Sequence, residues 1–142
     1  MWLNADNLII HNCNFLYPNC YAHMLNQINY GNNMNPLIDE IYDNQTNISS
    51  SENCTISNCS FKYTDGSVLE ISGGNNTITN NYFSYIDKTV CNLSSVMTSI
   101  TMNGSYNIIS HNTIHKTGAS STINPGNYSI VEYNNLYNVH IC

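Results

Sequence analysis

Two aspartates, Asp65 and Asp87, have the residue type and the spacing for chemistry. They lie 22 residues apart, which is also the length of a sequence repeat in this chain. If each repeat forms one coil of a stack, the two residues occupy the same position of successive coils, with backbones about 4.8 Å apart. Two carboxylates this close do not both ionise freely, so the pKa of one of them rises. Such a pair is able to act as general acid and as base or nucleophile in glycoside hydrolysis.

The aspartate pair has two other interpretations. Carboxylate oxygens are ligands of the kind that Ca²⁺ prefers. The sequence Thr64-Asp65-Gly66 is also a good turn by itself, with no ligand involved. Catalysis, a calcium site and a solvated turn therefore stay open, and no other metal or cofactor is predicted.

Four further residues are predicted to lie beside the aspartates. Lys116 is assigned to the catalytic group, and Tyr63, Tyr85 and His115 are assigned to substrate binding. The two tyrosines are also 22 residues apart, so they form an aromatic stripe that either stacks on sugar rings or packs on the protein's own exterior. A lyase acting on a polyuronate needs cations to offset the carboxylates of its substrate. The chain has three Lys and no Arg, which favours hydrolysis or binding over elimination.

The strands of the repeat must position these side chains. Five segments open with an aliphatic residue, here called position 0, and carry a large apolar residue at position +5. The openers are separated by 46, 22, 31 and 22 residues, so two intervals contain insertions. Short strands cannot bury a face alone, but they can do so by stacking into a solenoid. The pairs at positions 0 and +5 are Ile10 and Phe15, Ile56 and Phe61, Ile78 and Phe83, Ile109 and Ile114, and Val131 and Leu136.

We call the residues at one position of successive repeats a column. Other columns also indicate that the repeats stack on one another. Position +17 is glycine in two repeats and, once the nine-residue insertion is allowed for, in a third, which predicts a turn that needs positive φ or close backbone approach. Positions +2 and +3 each hold asparagine in three repeats, and asparagine amides in one column are predicted to bond along the stack as in cross-β ladders. Whether position +2 or +3 faces inward stays open. The glycines are Gly73, Gly104 and Gly126, and position +3 is Cys13, Cys59, Asn81, Asn112 and Asn134.

The runs NCTISNCSF, NNTITNNYF, YNIISHNTIH and YSIVEYNNLY resemble the coils of right-handed parallel β-helix proteins of the pectin lyase-like superfamily. The resemblance covers residues 5–17 and 51–142. It implies an all-β fold, a right-handed parallel β-helix solenoid of about five coils. Residues 1–142 then form a single domain with insertion loops at about 18–50 and 87–97. Because the last repeat stops before its glycine position, we expect the chain to be part of a longer β-helix.

The superfamily includes polysaccharide lyases, glycoside hydrolases, epimerases and non-catalytic adhesins. The resemblance therefore implies a carbohydrate-active or carbohydrate-binding segment that acts on an extracellular polysaccharide, of glycoside hydrolase or lyase type. The alternative is a structural or adhesive repeat module, or a fragment that lacks its active-site coils. Cys13 and Cys59 likewise have two interpretations, as small buried apolar side chains or as a disulfide.

The composition narrows the range of partners that the sequence predicts. Only 8% of the 142 residues are charged, and the formal net charge is −6. Nucleic acid and anionic membrane surfaces both require a dense basic footprint, so neither is a predicted partner, whereas a polysaccharide or glycan is. Low charge, six Cys and eight Asn-X-Ser/Thr sequons together predict a secreted or cell-surface protein. The sequence predicts no oligomeric state.

Overall fold

The computed structural model describes residues 2–3, 5–16, 47–48, 51–64, 68–86, 99–118 and 122–139. Within these residues the chain forms fifteen β-strands and no helix, and the strands pair in parallel. The predicted all-β class is therefore confirmed. Apart from Asn47 and Ile48, the two predicted insertion loops lie outside the described residues.

The strands, numbered β1 to β15 in chain order, form three five-stranded sheets. The first contains β1 (Trp2–Leu3), β4 (Asn47–Ile48), β7 (Leu69–Ile71), β10 (Ile100–Met102) and β13 (Ile123–Asn124). The second contains β2 (Ile9–His11), β5 (Thr55–Ser57), β8 (Thr77–Thr79), β11 (Ile108–Ser110) and β14 (Ile130–Glu132). The third contains β3 (Asn14–Leu16), β6 (Ser60–Thr64), β9 (Tyr82–Ile86), β12 (Thr113–Thr117) and β15 (Asn135–Tyr137). The chain visits the three sheets in turn, and we call each such passage a round.

The register of the strands confirms the repeat. In the second sheet Ile56 pairs with Ile10 on one side and with Ile78 on the other, and Ile109 pairs with Ile78 and Val131. The residues at position +5 pair in the same order in the third sheet. Strand β4 lies inside the segment assigned to the first insertion and pairs with β1 and β7. Both insertions therefore leave neighbouring rounds in register.

Side chains from all three sheets share one apolar core. Phe15, Phe61 and Phe83 stack with ring centroids 4.7 and 4.9 Å apart and interplanar angles of 4° and 7°, which matches the spacing of neighbouring strands. Each fully buried side chain of this size contributes about 1.5–3 kcal/mol. The stack is thus stabilised by ladders of like residues. The largest fully buried residues are Phe61, Phe83, Ile56, Leu69, Ile71, Ile78, Ile86, Ile100, Met102, Ile109 and Ile114.

The bends between strands are made by residues in the left-handed backbone region. Fourteen non-glycine residues have φ between +49° and +60°. They form three columns, at positions −3, +2 and +7, five residues apart. Seven of the fourteen are asparagine, which tolerates this region better than most residues. Position +2 is therefore the bend and position +3 faces inward, and the bends account for part of the asparagine content.

Buried asparagine side chains form the predicted ladder at position +3. Asn81 Oδ1 accepts a hydrogen bond from the backbone N–H of Cys59 at 2.8 Å. Its Nδ2 donates to the carbonyl of Ile56 at 2.9 Å and to Asn112 Oδ1 at 3.1 Å. Asn112 and Asn134 repeat this pattern in the following rounds. The ladder satisfies buried backbone groups at a bend, where no strand partner serves them.

A second ladder, at position −2, has no counterpart among the sequence predictions. Asn76 Oδ1 accepts from the backbone N–H of Cys54 at 2.8 Å, and its Nδ2 donates to the carbonyl of Ser51 at 3.0 Å. Asn107 serves the next round in the same way, and Ser129 Oγ accepts from the N–H of Asn107 at 3.2 Å. Two of the bends in each middle round are therefore held by side-chain hydrogen bonds.

Candidate functional site

The third sheet presents most of the predicted site residues to solvent. Along its strands, inward side chains such as Phe61 and Phe83 alternate with outward ones. Three tyrosines of its outer side are between 38% and 42% exposed. We call this surface, together with the adjoining bend, the outer aromatic face. It consists of Lys62, Tyr63, Tyr82, Tyr85, His115, Lys116 and Tyr137.

The predicted stripe of Tyr63 and Tyr85 is present, with ring centroids 5.0 Å apart and an interplanar angle of 24°. Lys116 Nζ donates a hydrogen bond to Tyr85 Oη at 2.7 Å and lies 4.4 Å from the centroid of its ring. Strand β9 lies between β6 and β12, so Tyr63 and Lys116 approach Tyr85 from opposite sides. Tyr85 therefore offers its edge to a ligand, and its ring face is not available for stacking on a sugar.

Lys116 is held as an ammonium. Its hydrogen bond with Tyr85 raises the pKa of Lys116 above the ordinary value, so the group stays protonated at neutral pH. The ammonium also interacts favourably with the electron-rich face of the ring. This environment suits Lys116 to pair with a sugar hydroxyl or an acidic group, and does not suit it to act as a base.

His115 lies inside a cluster of tyrosines and is only 5% exposed. Its Nε2 is 2.6 Å from Tyr82 Oη, and its ring stacks on Tyr137 with centroids 4.7 Å apart. No described residue forms a hydrogen bond with its Nδ1. Lys62 Nζ lies 5.3 Å from the centroid of Tyr82. Tyr82 thus contacts both His115 and Lys62. The ammonium groups of Lys62 and Lys116, the two lysines described on this face, each lie beside a tyrosine ring.

Acidification is expected to destabilise the protein through His115. Burial, followed by the positive charges of Lys116 and Lys62, lowers the pKa of His115 in the folded state, while the value in the unfolded chain is about 6.5. Below that pH the unfolded chain binds a proton that the folded protein does not, so stability falls as the pH falls. Between pH 7.5 and 5.0 the thermal midpoint of His115→Gln is expected to fall less than that of the parent.

The exposed His11 provides the control for this measurement. The His11→Gln variant also removes an imidazole but leaves the His115 cluster intact, so it shows whether a smaller fall in the midpoint is specific to His115→Gln. Equal losses for the parent and His115→Gln would contradict the assignment of the effect to His115.

The predicted carboxylate pair lies outside the described residues, so Asp65 and Asp87 stay predictions as catalytic residues and as calcium ligands. Among the residues that the structure does describe, no group of three or more His, Cys, Asp or Glu could hold a metal ion. The acidic side chains described there belong to the second sheet or to the bend before it, and not to the outer aromatic face. They are Asp6, Glu52 and Glu132.

Sequence reasoning missed Lys62, Tyr82 and Tyr137. Their columns show no repeated chemistry: position +6 is Lys62, Ser84, His115 and Tyr137 in successive rounds. A repeat search that looks for like residues in one column cannot find a cluster built across columns. The signal that could have found it is the period-2 alternation within each strand, which places positions +4 and +6 on the outer side.

The sequence matches no protein-family model, and no curated protein or solved structure is significantly similar to it. Within the described part of the chain, no helix is long and apolar enough to cross a membrane.

Proposed function

We propose that the chain is a right-handed parallel β-helix solenoid of the pectin lyase-like type, and part of a longer one, whose outer aromatic face binds an extracellular polysaccharide. The strand order supports a solenoid, because β4, β5 and β6 belong to three different sheets and pair with β7, β8 and β9 of the next round. Five rounds follow this order. A solenoid presents the same sheet face along its whole length, as an extended polymer requires.

The observation that carries the binding proposal is the fixed array of donors on the outer aromatic face. Lys62 lies on β6 and Lys116 on β12, with β9 between them, so their backbones are two strand spacings, about 10 Å, apart. Each ammonium group lies beside a tyrosine ring, and Lys116 also donates a hydrogen bond to the Tyr85 hydroxyl. Donors that are ordered before the ligand arrives lose little conformational entropy on binding. The face therefore suits a polymer with regularly spaced hydroxyl or acidic groups.

Hydrolysis of the bound polymer requires the predicted carboxylates. In sequence, Asp65 and Asp87 directly follow Thr64 and Ile86, which are register partners in the third sheet. Glycoside hydrolysis uses two carboxyl groups, and the described residues of the outer aromatic face supply none. Binding is therefore the primary proposal, and hydrolysis depends on this pair.

Removing both cations is expected to weaken polysaccharide binding. In isothermal titration with a panel of neutral and acidic polysaccharides, the Lys62→Met/Lys116→Met protein is expected to bind at least about tenfold more weakly than the parent, or about 1.4 kcal/mol. Its thermal midpoint should change little, because such surface substitutions usually cost within about 0.5 kcal/mol. The stacked pair Tyr106 and Tyr128, with centroids 5.6 Å apart at another bend, supplies the control variant Tyr128→Ala.

The outcomes separate the alternatives. Equal weakening by Tyr128→Ala, or no binding to any polysaccharide by the parent, would contradict the proposal and favour a structural or adhesive module. Turnover that Asp65→Asn and Asp87→Asn abolish, with binding retained, would establish a hydrolase. Binding without turnover in the parent would leave the chain a binding segment.

A further inference from the structure

Cys13 and Cys59 occupy position +3 of consecutive rounds. The residues after them, Asn14 and Ser60, are register partners, and the N–H of Ser60 donates to the carbonyl of Cys13 at 2.9 Å. Neighbouring parallel backbones lie about 4.8 Å apart, and a disulfide needs Cα atoms about 4.4–6.8 Å apart. The backbone therefore holds the two cysteines at a separation that a disulfide can span.

The two thiols are also oriented alike, each towards the carbonyl two residues before it in its own round. Both are free in this structure, Cys13 being exposed and Cys59 buried. The Cys13 thiol donates to the carbonyl of His11, two residues before it, at 3.4 Å. Cys59 Sγ lies 3.2 Å from the carbonyl of Ser57 and 3.7 Å from that of Ile10. The Cys59 sulfur thus lies between its own round and the round of Cys13.

The cysteines replace asparagine at the weakest part of the ladder. In later rounds the amide of Asn81 donates to the carbonyl of Ile56 at 2.9 Å, whereas Cys59 donates to the equivalent carbonyl of Ile10 only at 3.7 Å. A thiol is a weak donor and a weak acceptor compared with an amide. Between the first two rounds, a covalent bond can therefore take the role that amide hydrogen bonds have elsewhere.

We propose that Cys13 and Cys59 form a redox-controlled disulfide that joins the first round to the second. The exposed Cys13 thiolate attacks one sulfur of a small-molecule disulfide such as oxidised glutathione, which releases one thiol. The Cys59 thiolate then attacks Cys13 Sγ, forms the protein disulfide and releases the second thiol. The protein loses two electrons and two protons, and the small disulfide gains both. This site is independent of the outer aromatic face.

The test uses a parent in which Cys20, Cys91 and Cys142 are replaced by serine, so that three cysteines remain. The protein is equilibrated in a glutathione buffer as oxidising as the secretory pathway, alkylated and cleaved after Glu. Cleavage at Glu40 and Glu52 separates Cys13 from Cys59, so that a disulfide appears as two linked peptides in the mass spectrum. A disulfide that restricts a 46-residue separation should also raise the thermal midpoint by several degrees.

The third cysteine, Cys54, is the matched control. It is equally buried and lies in the other ladder, where the first round has Leu8 instead of cysteine. We expect the link and the rise in midpoint to persist in Cys54→Ser and to vanish in Cys59→Ser. Cys13 that stays reduced, carries only glutathione, or links to Cys54 in the parent would overturn the proposal.

Discussion

Replacing Gly104 with alanine is expected to destabilise the protein by at least about 3 kcal/mol, a large part of the 5–15 kcal/mol that stabilises a typical domain. An ideal Cβ at Gly104 would lie 1.8 Å from the carbonyl oxygen of Gly73 and 2.4 Å from its carbon. Both contacts are with backbone, which cannot rotate away as a side chain can. The two rounds would have to move apart at this bend, although the strands that lead into it, β7 and β10, are paired with each other.

Urea unfolding of Gly104→Ala and of Asn124→Ala measures this effect. Asn124 is exposed on the neighbouring strand β13, so its variant reports any general cost of alanine in this region. We expect Asn124→Ala to remain within about 0.5 kcal/mol of the parent. A similarly small change for Gly104→Ala would show that the rounds at this bend are not held at the separation described here.

Replacing Asn81 with alanine is expected to cost about 3–5 kcal/mol. Asn81 is only 2% exposed, and its side chain serves the N–H of Cys59, the carbonyl of Ile56 and the amide oxygen of Asn112. Alanine would leave these buried groups without that partner, and each unsatisfied buried group costs about 1–3 kcal/mol. The loss should appear as a lower urea midpoint with unchanged denaturant slope.

Two other asparagine variants test whether the loss of stability comes from the ladder hydrogen bonds or from alanine at any nearby asparagine position. Asn135→Ala alters an exposed residue of β15 and is expected to have little effect. Asn80→Ala alters the adjacent bend residue, which has φ of +55° and an exposed hydrogen bond to Thr79 Oγ1, and should cost about 1–2 kcal/mol, mainly through backbone conformation. If Asn81→Ala cost no more than Asn80→Ala, the ladder hydrogen bonds would not be the source of the stability.

The glycine column shows how far a repeat can be read from sequence. Its prediction offered two reasons for glycine, and both apply: Gly73 and Gly126 have φ of +136° and +73°, and all three glycines lie against the backbone of the preceding round. At Gly104 only the close approach operates. The spacing identified the glycine column, but only the packing of neighbouring rounds shows which of the two reasons applies at each glycine.

The bends between strands are only partly predictable from the sequence. Pairs of asparagine five residues apart, such as Asn53 and Asn58 or Asn75 and Asn80, mark two of the three left-handed columns. The same columns contain Tyr106, Tyr128 and Tyr133, and tyrosine is not among the residue types that are enriched at positive φ. Local preference therefore does not predict those bends. They are imposed by the strands on either side, which are already in register with other rounds.

By itself, the sequence determined the all-β class, the aliphatic and aromatic ladders and the presence of asparagine columns, but not which of these columns faces inward. These follow from residue types that recur at one spacing, since parallel stacking places like residues on like residues. Only the tertiary structure decided that Lys116 bonds the hydroxyl of Tyr85, and that Tyr82 contacts both Lys62 and His115 from another column. Those contacts depend on side-chain conformation and on packing between rounds, which no single repeat encodes.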